Sequence, residues 1–140
     1  MMKAAFAEVL AEETIALAAV ADAVALGQWR EHLVNQATTA DSAYTKVLRL
    51  AGDPPDRAVF LARWRDLIAA ALRRVVSAEA PRGAEIDLDQ TAVSILAALY
   101  GGTILSRLAK DSSPLQVSVG LALAPLLPFT GSALMQAEKN

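Results

Sequence analysis

From Gln90 to Ser106 the chain runs 17 residues without a charged side chain, in residue types that suit a helix. Nearly five turns without charge leave no solvated face, so such a helix is covered all round. On a helical wheel Leu88, Val93, Ile95, Leu96, Leu99 and Ile104 occupy one side, with Tyr100 among them. Ser94, Ala97, Ala98, Gly101 and Gly102 lie mostly on the other. Small residues let another backbone approach closely. Two adjacent glycines in mid-helix, at about 1 kcal/mol each in lost propensity, point to a packing reason or a local kink. In 140 residues, one domain by length (1–140), a helix covered all round is either central or part of a subunit interface.

Composition supports an all-α chain. Alanine (30) and leucine (20) supply 50 of the 140 residues, and unbranched side chains lose little rotamer freedom in a helix. With 54% hydrophobic residues and a mean hydropathy of +0.35, the chain is too apolar to be disordered, and some apolar surface is expected to meet a partner. A net charge of −2 gives no global reason for this chain by itself to hold nucleic acid. The absence of cysteine excludes disulfides, thiol catalysis and thiolate metal sites, and fits a cytoplasmic protein. Glu8, Glu12, Glu13 and Asp22 interrupt the apolar N-terminus, which therefore reads as an amphipathic helix and not as a secretory signal.

Periodicity and breakers divide the rest. A first helix is expected from about Lys3 to Leu26, with Gly27 as its stop, and a less regular stretch from Trp29 to Leu50 is interrupted by Thr38, Thr39, Asp41 and Ser42. After Gly52-Asp53-Pro54-Pro55 a helix from Asp56 to Glu79 places Phe60, Leu61, Trp64, Leu67, Ile68, Leu72 and Val75 on one face. Its arginines take the other side as a solvated face. The chargeless helix spans Leu88 to Lys110, with Asp87 or Asp89 as its cap and Glu85 adding negative charge before it. Ser113-Pro114-Leu115-Gln116 then reads as cap, first-turn proline and capping-box glutamine of a last helix ending near Ala124. No element is assigned after Phe129.

Motifs for chemistry are nearly absent. His32 is the single histidine, no carboxylates cluster at metal-ligand spacing, and no phosphate loop or nucleophile elbow occurs. No enzyme activity, metal or cofactor is expected. The side chains that join area to a hydrogen-bonding end are Trp29, His32, Gln36, Tyr44, Trp64 and Tyr100, the mix that orients a small organic ligand in an apolar pocket. The same side chains would serve equally as core aromatics and rim polar groups.

The stretch from Phe60 to Leu127, about half the chain, resembles the C-terminal half of a TetR-family transcriptional regulator. The resemblance rests on the aromatic-bearing helix, the Asp87-Leu88-Asp89 helix start, Leu99-Tyr100-Gly101-Gly102-Thr103, and Ser113-Pro114-Leu115 opening a final apolar helix. It implies an all-helical effector-binding and dimerisation domain whose last two long helices form a four-helix interface in a homodimer, with a small hydrophobic ligand as effector. The interface would then use Ser94, Ala98, Gly101, Gly102, Leu105, Leu115 and Val119. Such regulators begin with a helix-turn-helix, and nothing before Lys46 reads as that module, so DNA would be reached only through a segment this chain lacks. The alternatives are a membrane hairpin using 90–106 and the chargeless 112–137, or a stand-alone helical interaction module.

Overall fold

In a computed structural model, which describes residues 2–49, 52–79 and 86–126, the elements are α1 (Met2–Ala18), α2 (Ala23–Thr38), α3 (Ala43–Val47), α4 (Pro54–Glu79), α5 (Leu88–Ala109), α6 (Ser113–Leu123) and a 3-10 turn (Ala124–Leu126). No strand occurs among the described residues. Buried side chains from all six helices form one apolar cluster.

The first helix is shorter than its periodicity predicts, and Gly27 stops nothing: it lies inside α2. The break falls at residues 19–22 because two side chains act there. Asp22 accepts from the Ala25 amide at 2.8 Å and starts α2, while Arg74 of α4 reaches across to the Leu17 and Val20 carbonyls at 2.6 and 3.2 Å. An arginine expected on a solvated face thus closes the end of α1, satisfying carbonyls that a helix terminus leaves unpaired. The interruption after α2 is as the residue types predict. Asp41 adopts φ 64°, and the Ser42 hydroxyl accepts from the Thr45 amide at 3.0 Å and donates to the Gln36 carbonyl at 2.6 Å.

Helix α4 starts two residues before the expected point, taking Pro54 and Pro55 into its first turn, and buries Phe60, Trp64, Ile68, Leu72 and Val75 of the expected face, while Leu61 and Leu67 at its edges are half-buried. Asp87 caps α5 by accepting from the Gln90 amide at 3.1 Å, and Lys110 ends it in the left-handed region at φ 53°. Within one protomer α5 is covered on one side only. Ala92, Ile95, Leu96 and Leu99 are buried, whereas Val93, Ala97, Gly101 and Leu105 are exposed. The buried arc is therefore rotated from the division into large and small faces, because α6 needs one glycine: a Cβ on Gly102 would strike the Ser118 hydroxyl and lie 2.9 Å from the Leu115 Cα.

The cap of α6 is Ser112, one residue earlier than expected, and Gln116 donates to its hydroxyl at 3.2 Å. The α5–α6 hairpin is pinned where the Leu115 amide donates to Ser106 Oγ at 3.0 Å and the Ser118 hydroxyl to the Ala98 carbonyl at 3.0 Å. Glu85, residues 127–137 of the second chargeless segment, and the tail after Phe129 lie outside the described residues.

The two glycines should separate in a urea unfolding series. Gly102→Ala is expected to cost about 1–3 kcal/mol by overpacking the hairpin. Gly101→Ala, whose Cβ meets nothing within 4 Å in its own chain, should be neutral or stabilise by up to about 1 kcal/mol when unfolding is followed at concentrations low enough to keep the chain monomeric. Equal effects would remove close approach as the reason for Gly102.

Candidate functional site

Three of the six aromatic and polar side chains singled out by the sequence converge on a residue that was not among them. Glu13 lies on α1 in phase with Val9 and Leu17, four residues to either side, and its side chain is wholly buried. Trp64 of α4 donates its indole N–H to Oε1 at 2.7 Å, Tyr44 of α3 its hydroxyl to Oε2 at 2.8 Å, and Trp29 of α2 its indole N–H to both oxygens at 3.2 Å. The donors come from three helices and the acceptor from a fourth. Phe60 tilts against Trp64 at 5.3 Å between centroids and stacks on Phe6 at 4.5 Å, so apolar rings close the site behind the donors.

His32 stands at the edge of this group. Its ring meets Tyr44 edge-on at 5.9 Å, and its Nε2 lies 3.4 Å from Glu12 Oε1 without a hydrogen bond. Gln36 contributes its backbone carbonyl to the α2–α3 corner, and Tyr100 is separate, donating to the Val47 carbonyl at 3.4 Å. Burial pushes the Tyr100 phenol up to about 12. The Tyr44 phenol is also raised, first by burial and then by the adjacent Glu13 charge.

Burial raises the Glu13 carboxyl above its ordinary value, and its bonds to Trp64, Tyr44 and Trp29, with the charge of His32, pull the other way without cancelling it. The nearest partners are neutral donors. Such a constellation holds a charge or a proton inside the protein; it offers no nucleophile, and among the described residues no group of three His, Cys, Asp or Glu is placed to hold a metal. The polar ends of Trp29, Tyr44 and Trp64 are spent on Glu13. No residue of the six lines the cleft of about 360 Å³ that opens between α2–α3 and the α5–α6 turn.

The residues expected at a subunit interface divide into two sets. Ser94, Gly101 and Leu105 are open on the outside of α5, with Ala98 half-buried beside them, whereas Gly102, Leu115 and Val119 pack inside the protomer between α5, α6 and the core. The open set continues into a face that sequence spacing did not separate from the core. Val93, Leu105 and Leu108 of α5 are 51–78% exposed, and Val117 and Leu121 of α6 are 59% and 69% exposed. The fold thus brings together a closed polar knot and, elsewhere, an uncharged two-helix surface.

No family model, curated protein or solved structure matches the chain.

Two measurements check the Glu13 knot. Tyr44→Phe removes one donor to a buried carboxylate and should cost about 1.5–3 kcal/mol in urea unfolding. Because the folded carboxyl is raised, its stabilising contribution is full below the ordinary value of 4.5 and is lost as pH rises through the folded value. Wild-type stability relative to Glu13→Gln is therefore expected to decline as pH rises from 4.5 to the folded value and to level off above it. Parallel curves would show that Glu13 does not titrate in this way.

Proposed function

We propose that the chain is the subunit-pairing and effector-binding domain of a regulator resembling the TetR family, acting as a homodimer. The observation that carries this reading is the outer face of the α5–α6 hairpin. Val93, Leu105, Leu108, Val117 and Leu121 stand exposed on it, with Ala97 and Gly101 between them, and none of these positions is charged. Soluble monomers rarely expose large apolar patches. A second copy meeting this face about a two-fold axis covers it with its own equivalent, and four helices then surround the chargeless run. Gly101 supports the pairing: its position is empty within one protomer, which leaves room for the backbone or side chains of the other.

The membrane alternative draws on the same residues. Leu88–Ala109 is long and apolar enough to cross a bilayer. Pairing is favoured over it because the inner side of α5 is fitted to this protein, with Ile95 and Leu99 buried in the common core, and because α6 has only 11 residues. At about 1.5 Å per residue that is roughly half the thickness of a hydrocarbon core.

An effector acting through this arrangement would bear on the seating of α5 and α6 against the other helices, so that the relative placement of two paired subunits changes. DNA would be engaged by a segment outside this chain, and the protein would work in the cytoplasm.

Sedimentation in detergent-free buffer over a range of concentrations should give a reversible dimer. Gly101→Glu or Leu105→Glu places an unpaired charge in the pairing face and should weaken it by about 3 kcal/mol or more, roughly 100-fold in Kd. Both positions are exposed in the protomer, so its helix content should be unchanged. A dimer of unchanged affinity in both variants would dismiss the face, and solubility only in detergent would move the reading to the membrane.

A further inference from the structure

The cleft of about 360 Å³ lies where the end of α2, the end of α3, the last turns of α5 and the start of α6 converge, within the range of small-molecule sites. Its walls carry four threonines, yet their hydroxyls are already committed. Thr38 donates to the Val34 carbonyl at 2.9 Å, Thr39 to Asn35 at 2.6 Å, Thr45 to Thr39 at 2.7 Å and Thr103 to Leu99 at 2.6 Å. These threonines line the space together with Ala37, Ala40 and Leu115. Ser106 Oγ accepts from the Leu115 amide at 3.0 Å.

The polar chemistry left in the cleft is mainly cationic. Arg49, Arg107 and Lys110 line it, from two separate parts of the chain. Among the described residues none of the three has an ion-pair partner. Arg107 makes one long bond, 3.4 Å, to the Leu48 carbonyl. The acidic lining residue, Asp111, turns a carboxylate oxygen to the Ser113 amide at 3.3 Å, where it serves the start of α6. An anionic group meeting the Arg107 guanidinium would outcompete its one bond of 3.4 Å, because charge-assisted bonds are shorter and about twice as strong.

We propose that this cleft binds a small amphipathic organic anion, a carboxylate or phosphate monoester on a short aliphatic body, with Arg49, Arg107 and Lys110 on the anionic head and the alanine, leucine and threonine walls around the tail. The proposal names the effector class for the domain read above and rests on that reading only for its consequence, since binding itself is a property of one protomer. The ligand head would draw Arg107 of α5 from the Leu48 carbonyl and so act on the helix that carries the pairing face.

The test is isothermal titration of the full chain with octanoate, octyl phosphate, 1-octanol and inorganic phosphate. Octanoate or octyl phosphate should bind at least tenfold more tightly than 1-octanol and than inorganic phosphate, and the tighter of the two identifies the head group. The double variant Arg49→Gln/Lys110→Gln, altered only at exposed positions, should lose at least tenfold in affinity while keeping its helix content and melting temperature. Equal binding of 1-octanol, equal binding of inorganic phosphate, unchanged affinity in the double variant, or no binding by any probe would each overturn the proposal. A monomer that binds octanoate would sink the pairing reading and leave this one standing; a dimer that binds nothing would do the reverse.

Discussion

A single buried carboxylate sets the relation of four helices. Taking Glu13 out of water is costly unless each of its oxygens is hydrogen-bonded, and α2, α3 and α4 each supply one donor through Trp29, Tyr44 and Trp64. The requirement is collective. If α1 slid by one turn, the charge would be left among Phe6, Phe60 and the leucines with its partners out of reach. Apolar packing alone specifies such a register weakly here, because α1 carries alanine at positions 4, 5, 7, 11, 16 and 18, and alanines present similar surfaces at neighbouring turns. The carboxylate thus contributes more to uniqueness than to net stability, the use for which buried polar groups are best attested.

The α5–α6 hairpin is held differently. Its inner side joins the common core through Ile95, Leu99, Leu115 and Val119, which fixes it by area and not by direction. Among the described residues the polar ties from the rest of the molecule are few and long: Tyr100 to the Val47 carbonyl at 3.4 Å, Arg107 to Leu48 at 3.4 Å, Arg73 to Asp89 at 3.3 Å, and Arg30 to the Gln116 carbonyl at 3.2 Å. Bonds of this length sit at or beyond the weak end of the range. A layer gathered on one buried carboxylate therefore carries a hairpin seated by apolar contact and tied by scattered bonds at its rim, none of which involves Glu13 or its donors.

Much of this was legible in the sequence where one strong period dominated. Helix α4 showed its buried face in the spacing of Phe60, Trp64, Ile68, Leu72 and Val75, and Asp87 announced the start of α5. Legibility failed where long-range contacts decided. The end of α1 depends on Arg74, which lies 54–57 residues away along the chain, and nothing near Ala18 signals it. Gly27 reads as a stop because glycine often ends helices, but the capping aspartate at 22 had already restarted the chain. The knot was half visible. Aromatics with polar ends were recognisable as a group, yet their common acceptor was hidden because a carboxylate on an alanine-rich helix looks solvated. Its phase with Val9 and Leu17 was the available signal, and it required trusting periodicity over polarity.

The chargeless run from Gln90 to Ser106 has two causes, and Gly101 and Gly102 separate them. Gly102 faces inward, where α6 passes too close for a Cβ, so half of the run is uncharged because it packs within the protomer. Gly101, 100° further round the helix, faces outward with nothing within 4 Å, so the protomer gives no reason for glycine there or for Val93, Ala97 and Leu105 on the same side. A helix that only filled a core would place lysine or glutamate on that arc at little cost, as α4 places Arg63 and Arg73 on its own outer face. The absence of charge on the outer arc of α5, with Val117 and Leu121 exposed on α6, therefore has no cause within the chain itself, and it is on this arc that the pairing proposal rests.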